Sequence, residues 1–144
     1  MLKRISGKPN VEWYIKTAST AMKNGSVVAL TSGQLTAATS STTAHLGVIL
    51  RDCISTDADY ASAISVPVDV PGPNDVFEAD VKSGVTAAIT SIGAQCDFSI
   101  TSNETFVDTG TNTYHQVLIV GFVSASKVLV KITSLYSYNN PAAA

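Results

Sequence analysis

The predicted fold is organised around residues 24–51, where apolar runs are separated by a turn and a polar loop. An apolar run at 27–30 leads into residues 31–33, where Gly33 can take the positive φ that a tight turn needs. A short strand-like stretch and a Ser/Thr-rich loop follow, and Gly47 then begins a second apolar run. The pattern predicts a strand, a turn, a short strand, a polar loop and a further strand.

Residues 63–70 alternate strictly between apolar and polar positions, which is typical of a strand with one buried face. Because Pro67 cannot donate to a β-ladder, we expect either an edge strand or a backbone nitrogen at Pro67 that is directed outward. The Pro/Gly-rich residues 71–75 predict a turn. Strands are also predicted at 11–17, 76–81, 85–93, 95–100, 114–123 and 127–138, and a polar loop at 101–113.

Turn signals recur along the whole chain and no segment has a convincing helical period. Together they predict an all-β fold, a single small β-barrel or β-sandwich domain with an extended N-terminal arm. The arm spans residues 1–23, the β-domain spans 24–138, and residues 139–144 form a loose C-terminal tail.

The composition indicates a neutral surface. Only 14% of the residues are charged, against about 25% in a typical soluble domain. Ser and Thr are abundant instead, which suits lasting contact with another protein, although the β-propensity of Thr explains part of it. The N-terminal segment is basic, with Lys3, Arg4, Lys8, Lys16 and Lys23 against Glu12 alone. These cations are too few and too dispersed for nucleic-acid binding, so no nucleic-acid partner is expected.

Candidate catalytic bases are limited to His45 and His115. No nucleophile elbow, dinucleotide fingerprint or phosphate-binding loop occurs. Each histidine is interpreted as a strand-end residue with a hydrogen-bonded ring. The spacing of paired glycosidase carboxylates is spatial and cannot be read along the chain, but the acids here fall at turns. We expect a protein that is not an enzyme and needs no cofactor.

Metal sites and membrane segments are not expected either. Cys53 and Cys96 lack the spacing of a zinc site, which favours a reduced, cytosolic origin and leaves open whether they pair. Asp57 and Asp59 lack the central Gly and terminal Glu of a calcium loop, so a solvated acidic loop is predicted. The longest apolar run, at 117–123, is far too short to span a membrane, and no secretory signal precedes the domain.

Trp13 and Tyr14 are the most informative residues of the basic segment. Trp13 is the only tryptophan of the chain. One interpretation is that the pair caps one end of the core. The other is that it anchors an interface, because Trp and Tyr are enriched among residues that dominate binding energy.

The order of segments resembles the small head decoration (cement) proteins of tailed bacteriophages. The polar N-terminal segment precedes five short motifs that carry the resemblance: NGSVVALTSGQLTAA at 24–38, HLGVIL at 45–50, DADY at 57–60, ISVPVDVP at 64–71 and VFEADV at 76–81. The resemblance covers residues 24–133, and its motifs are short and degenerate.

The resemblance implies a structural protein of the virion, made in the host cytoplasm and placed on the outside of the expanded capsid. There it would staple neighbouring subunits of the major capsid protein, with a homotrimer favoured and an N-terminal arm making part of the contact. Weak contacts would add up through multivalency. The expected contact residues are Lys3, Arg4, Ile5, Lys8, Trp13, Tyr14, Thr39 and Thr42.

Two alternatives stay open. One is another β-rich virion module, such as a tail-tube, head-fibre or baseplate component, which would share the composition and the lack of catalysis. The other is a glycan-binding β-sandwich. A glycan site predicts exposed aromatic residues clustered at loop tips, for which the candidates are Tyr60, Phe106 and Tyr114.

Overall fold

The computed structural model describes residues 1–135. Within them the chain forms eleven β-strands and a single turn of 3-10 helix at Ile89–Ser91. In chain order the strands are β1 Leu2–Ser6, β2 Val11–Ile15, β3 Val27–Thr31, β4 Gln34–Ala37, β5 Gly47–Ile49, β6 Ser65–Asp69, β7 Val76–Asp80, β8 Gln95–Thr101, β9 Glu104–Asp108, β10 Val117–Ser124 and β11 Lys127–Ile132.

The strands form two antiparallel sheets, which confirms the predicted all-β fold. The six-stranded sheet has the order β1-β7-β11-β10-β8-β9, and the five-stranded sheet has the order β2-β6-β5-β3-β4. Both sheets curl. In the five-stranded sheet Lys16 bridges to Leu35, which brings the end of β2 to β4, and in the six-stranded sheet Val81 bridges to Val107. The domain therefore combines features of a barrel and a sandwich.

Two hydrophobic cores result from this arrangement, and the five-stranded sheet contributes to both. Val28 and Ile49 point into the smaller core inside the curled five-stranded sheet. Val27 and Val48, their neighbours along the same strands, belong to the larger core with the inner face of the six-stranded sheet. Neighbouring strand residues point to opposite faces, so β3 and β5 are apolar at successive positions.

The structure confirms the predicted elements of residues 24–51. They contain β3, β4 and β5 in the expected order. Ser32 and Gly33 both have positive φ, 51° and 79°, which is the geometry of a two-residue hairpin turn between β3 and β4.

The N-terminal segment is extended, as predicted, but its strands lie within the sheets instead of reaching away from the body. β1 pairs with β7, placing Leu2 opposite Ala79, and β2 pairs with β6, placing Trp13 opposite Pro67. Leu2 is buried in the larger core. Residues 1–23 are therefore part of the same two sheets as residues 24–135, because the edges of both sheets offer them partner strands.

Two local predictions were wrong, and so was one alternative of a third. Residues 85–93 form no strand, only the 3-10 turn. The predicted loop at 101–113 contains β9, because Ser102 and Asn103 adopt positive φ and close a tight hairpin with β8. Of the two alternatives for the strand with Pro67, the edge strand is wrong, because β6 lies between β2 and β5. Its paired positions with β5 end at Ile49 and Val68, so Pro67 lies beyond the last of them.

The cysteines do not pair. Cys53 lies in the smaller core and Cys96 in the larger core, and both are free and buried. Burial raises the pKa of both thiols, so neither is poised for reaction. The predicted tail at 139–144, and the last residues of the strand predicted at 127–138, lie outside the described residues.

Candidate interaction surface

An exposed apolar stripe runs along β2. Val11, Trp13 and Ile15 occupy alternate positions and share one face of the strand. Their exposed fractions are 46%, 65% and 41%. We call these three residues the β2 stripe. A strand that leaves its apolar alternate positions in solvent is a candidate contact surface.

The position of β2 in the sheet explains this exposure. β2 is the last strand beyond β6, and Val11 lies in register with Asp69 of β6. Asp69 is covered by Arg4 of β1, which donates to its two carboxylate oxygens at 2.8 and 2.7 Å. β2 lies one strand further out than β6. On the face of the sheet that carries Asp69, the side chains of β2 are not covered in this way, so the β2 stripe is exposed to solvent.

Tyr14 points to the opposite face of β2. It is half-buried and packs against the smaller core, while its hydroxyl donates to Glu12 at 3.3 Å. Burial and the nearby Glu12 charge raise the pKa of Tyr14, so the hydroxyl keeps its proton. Each interpretation of the aromatic pair therefore applies to one residue: Tyr14 contributes to the core, and Trp13 is available for contact.

Most of the N-terminal cations are used inside the fold. Lys16 is fully buried and donates from Nζ to the Tyr60 carbonyl at 2.8 Å. Arg4 lies in the ion pairs with Asp69 and Asp75, and Lys23 approaches Glu104 at 3.7 Å. Within residues 1–135, no ion pair involves Lys3 or Lys8.

Lys3, Ile5 and Lys8 remain accessible, whereas Arg4 does not. Lys3 and Ile5 are exposed on β1, with Ile5 50% exposed, and Lys8 lies in the turn before β2. The Arg4 side chain is 11% exposed and lies 5.1 Å from the Phe77 ring centroid. Arg4 is therefore a structural residue that ties the two sheets together, and the expected contact role does not suit it.

Thr39 and Thr42 belong to a second group, in the loop after β4. The Thr39 N–H donates to the Thr42 hydroxyl at 2.9 Å, so the two side chains help to fix the loop. Gln116 holds the same loop by donating from Nε2 to the carbonyls of Ser40 and Thr42. Thr39 is exposed and Thr42 is half-buried. The loop is a fixed surface rather than a free connector.

A polar cleft of about 190 Å³ lies beside this loop. Its buried Asp97 accepts backbone N–H groups from Thr113, Tyr114 and His115. Asp108 accepts from Lys82, Gly110 and Thr111. Burial raises the pKa of Asp108, but these hydrogen bonds outweigh it and the net pKa is lowered. Both carboxylates thus have hydrogen-bond partners within the chain, and these contacts order the loop 109–116.

The other candidate chemical groups also have structural partners. Asp57 accepts the N–H of Ile54 and Asp59 pairs with Arg51, so the acidic loop is held by its own chain. Among residues 1–135 no group of three or more His, Cys, Asp or Glu side chains is placed to hold a metal ion. His45 has the predicted hydrogen-bonded ring, with Nδ1 2.6 Å from the Ser134 hydroxyl.

The aromatic residues proposed for a glycan site lie on separate elements. The Tyr60 hydroxyl donates to the Ser19 carbonyl, and the Tyr60 carbonyl accepts from Lys16 Nζ. Phe106 is half-buried on β9, and Tyr114 lines the polar cleft. The sequence pattern pointed to Trp13 but not to Val11 and Ile15, whose signal was their period-two spacing with Trp13 on the strand predicted at 11–17.

No protein-family model matches the chain, and no curated protein sequence matches it either. In the part of the chain that the structure describes, no helix has the length and apolar character needed to cross a bilayer.

Proposed function

We propose that this protein is a structural, non-catalytic component of a phage virion that attaches to the outside of the capsid. In this role it staples neighbouring subunits of the major capsid protein and stabilises the expanded head. The resemblance of residues 24–133 to head decoration proteins supports the choice of partner. The β2 stripe is the observation that carries the proposal, because it offers an apolar contact surface on a rigid strand.

Trp13 is the expected anchor of the contact. Burying a large side chain contributes about 1.5–3 kcal/mol, and Trp13 starts 65% exposed, so most of that gain is available on binding. Its backbone is fixed by pairing with Pro67, so little ordering cost is added. Val11 and Ile15 flank it and help to exclude water from the contact.

The area of the β2 stripe argues for a repetitive partner. Three side chains cover only part of the roughly 800 Å² that each partner buries in a standard stable interface. A single copy would therefore bind weakly. A capsid lattice supplies many equivalent sites, and a homotrimer would present three stripes at once, so that weak contacts add through effective concentration.

Lys3 and Lys8 supply the charge for recognition. Both are exposed and have no ion-pair partner within residues 1–135. They favour an acidic capsid surface and should accelerate association at low salt. We expect the attachment to weaken as ionic strength rises, because exposed charge pairs are screened within about 8–10 Å.

Binding to purified heads tests the proposal. Protein mixed with expanded and unexpanded heads should co-sediment with the expanded form in preference. Trp13→Ala should weaken binding about thirtyfold, the effect of losing about 2 kcal/mol at an anchor residue. Its melting temperature should stay close to the wild type, because Trp13 is mostly outside the fold.

Phe122→Ala is the matched control, since Phe122 is another large apolar residue, 39% exposed, on a different strand. This variant should bind like the wild type. Equal binding to both head forms would contradict a decoration role, and unchanged binding of Trp13→Ala would show that the β2 stripe is not the contact.

A further inference from the structure

A buried polar network joins the loop after β4 to the end of β11. His45 is fully buried, just before β5. Its backbone N–H donates to the Ser134 carbonyl at 2.7 Å, and its ring Nδ1 lies 2.6 Å from the Ser134 hydroxyl. Gln116, also fully buried, connects the same region to Ser40 and Thr42. The Ser/Thr loop is thus fastened to the larger core through His45, Ser134 and Gln116.

We assign the tautomer of the neutral ring from the hydrogen bonds of Ser134. A serine hydroxyl has one proton, and the Gln116 backbone carbonyl, 3.2 Å away, can only accept it. With the hydroxyl proton directed to that carbonyl, the Ser134 oxygen accepts from His45 at 2.6 Å, and Nδ1 carries the ring proton. Nε2 is left with an unshared lone pair, and it is the buried side-chain atom that has no hydrogen-bond partner within residues 1–135.

Among residues 1–135, the groups packed around the ring offer nothing to stabilise a positive charge. The His45 ring packs against Phe98 in a T-shaped arrangement with centroids 5.4 Å apart. On the same strand, β8, Asp97 is turned toward the backbone of residues 113–115, and Cys96 is a buried thiol. Residues 39–44 and 133–135 contain no titratable side chain, and Gln116 is neutral.

We propose that His45 is an acid-sensitive latch, which holds residues 39–46 on the larger core when its ring is neutral and releases them when Nε2 gains a proton. Protonation creates a buried charge and an N–H donor that has no acceptor among residues 1–135, and local opening hydrates both. The loop that carries Thr39 and Thr42 would detach together with the pairing of His45 and Leu135.

The direction of the pH dependence follows from the burial of the ring. Burial lowers the pKa of His45 from 6.5 to about 4, against a smaller opposing effect of the hydrogen bond with Ser134. Between pH 6.5 and about 4, His45 is protonated in the open form and neutral in the closed form. The opening equilibrium should therefore rise about tenfold for each unit that pH falls from 6.5, and level off below about 4.

Hydrogen exchange measured by mass spectrometry tests the latch in the intact chain. After correction for the intrinsic pH dependence of exchange, peptides covering residues 39–46 should open about tenfold more at pH 5 than at pH 6. The β10–β11 hairpin should show no such change over that range. If the opening of residues 39–46 did not change with pH, the proposal would be overturned.

Substitutions distinguish the titration of His45 from that of the carboxylates as the cause of the pH dependence. His45→Gln cannot titrate, so its exchange in residues 39–46 should lose the extra dependence on pH, whereas His115→Gln, which alters the exposed histidine, should retain it. If His45→Gln does not fold, the ring titration of the wild-type protein decides by NMR. A His45 pKa above 6 would overturn the latch, and one below 5 would support it. These measurements need no capsid, so they succeed or fail independently of the decoration role.

Discussion

Arg4 and Asp69 show how single residues connect the two sheets. Arg4 donates two hydrogen bonds to Asp69, also pairs with Asp75 at 3.1 Å, and lies over Phe77. The hydrogen bonds with Asp69 are the main reason that the pKa of Arg4 is raised above its usual value. The sequence suggested a free basic segment because spacing does not reveal that an acid 65 positions away is buried beneath it.

We expect Arg4→Met to destabilise the protein by about 3–5 kcal/mol, because it leaves the buried Asp69 carboxylate without its cation. Chemical denaturation measures the loss. Lys3→Met is the matched control on the same strand, and since Lys3 is exposed it should change stability by less than about 0.5 kcal/mol. Equal effects of the two substitutions would refute the role given to the Arg4–Asp69 pair.

At the level of elements, prediction succeeded where local chemistry decides the structure. β3, β4 and the turn between them follow from an apolar run and from Gly33, and β6 follows from strict alternation. It failed for β9, where Ser102 and Asn103 adopt positive φ without a glycine to announce the turn. It also failed at 85–93, where Ala87 is buried in the larger core but the β-branched residues Ile89 and Ile92, which favoured a strand, are exposed.

The β3–β4 turn offers a test at this scale. Gly33 has φ of 79°, so Gly33→Ala should cost about 1–2 kcal/mol through the left-handed backbone conformation. The added methyl group itself meets nothing within 4 Å, so any loss in thermal or chemical denaturation reports backbone conformation alone.

Gly110→Ala provides the comparison for the turn. A Cβ at Gly110 would meet its nearest neighbour, Asp108 Oδ1, at 3.4 Å, and Gly110 is not among the positive-φ glycines. We expect this variant to be neutral or slightly stabilised, because alanine reduces the freedom of the unfolded chain. A larger loss for Gly110→Ala than for Gly33→Ala would be inconsistent with this account.

For the whole molecule, the all-β class could be predicted from turn spacing. That the five-stranded sheet contributes to both cores could not. Sheet order depends on which distant strands pair, as with β1 and β7, and periodicity carries no information on that choice. For the same reason the sequence placed Lys3, Arg4 and Trp13 on one arm, whereas the fold buries Arg4 between the sheets and leaves Trp13 on an edge strand.

Deletion of residues 1–14 distinguishes an arm from a structural segment. An arm could be removed without loss of the fold. In the structure the deletion removes β1 and most of β2, takes Leu2 from the larger core and leaves Asp69 without Arg4. We expect the truncated protein to lose its cooperative thermal transition in circular dichroism. A truncated chain that melts like the full-length protein would contradict this.

The pairing of β1 also determines when the fold can be completed. The Met1 amine binds Asp80, a residue 79 positions along the chain, and it donates to the carbonyl of Thr105, which is 104 positions away. During synthesis β1 therefore leaves the ribosome before its partner strand β7 exists. Contacts of such long sequence separation form slowly, because loop closure precedes any gain. β1 can take its place in the sheet only after β7 has been made.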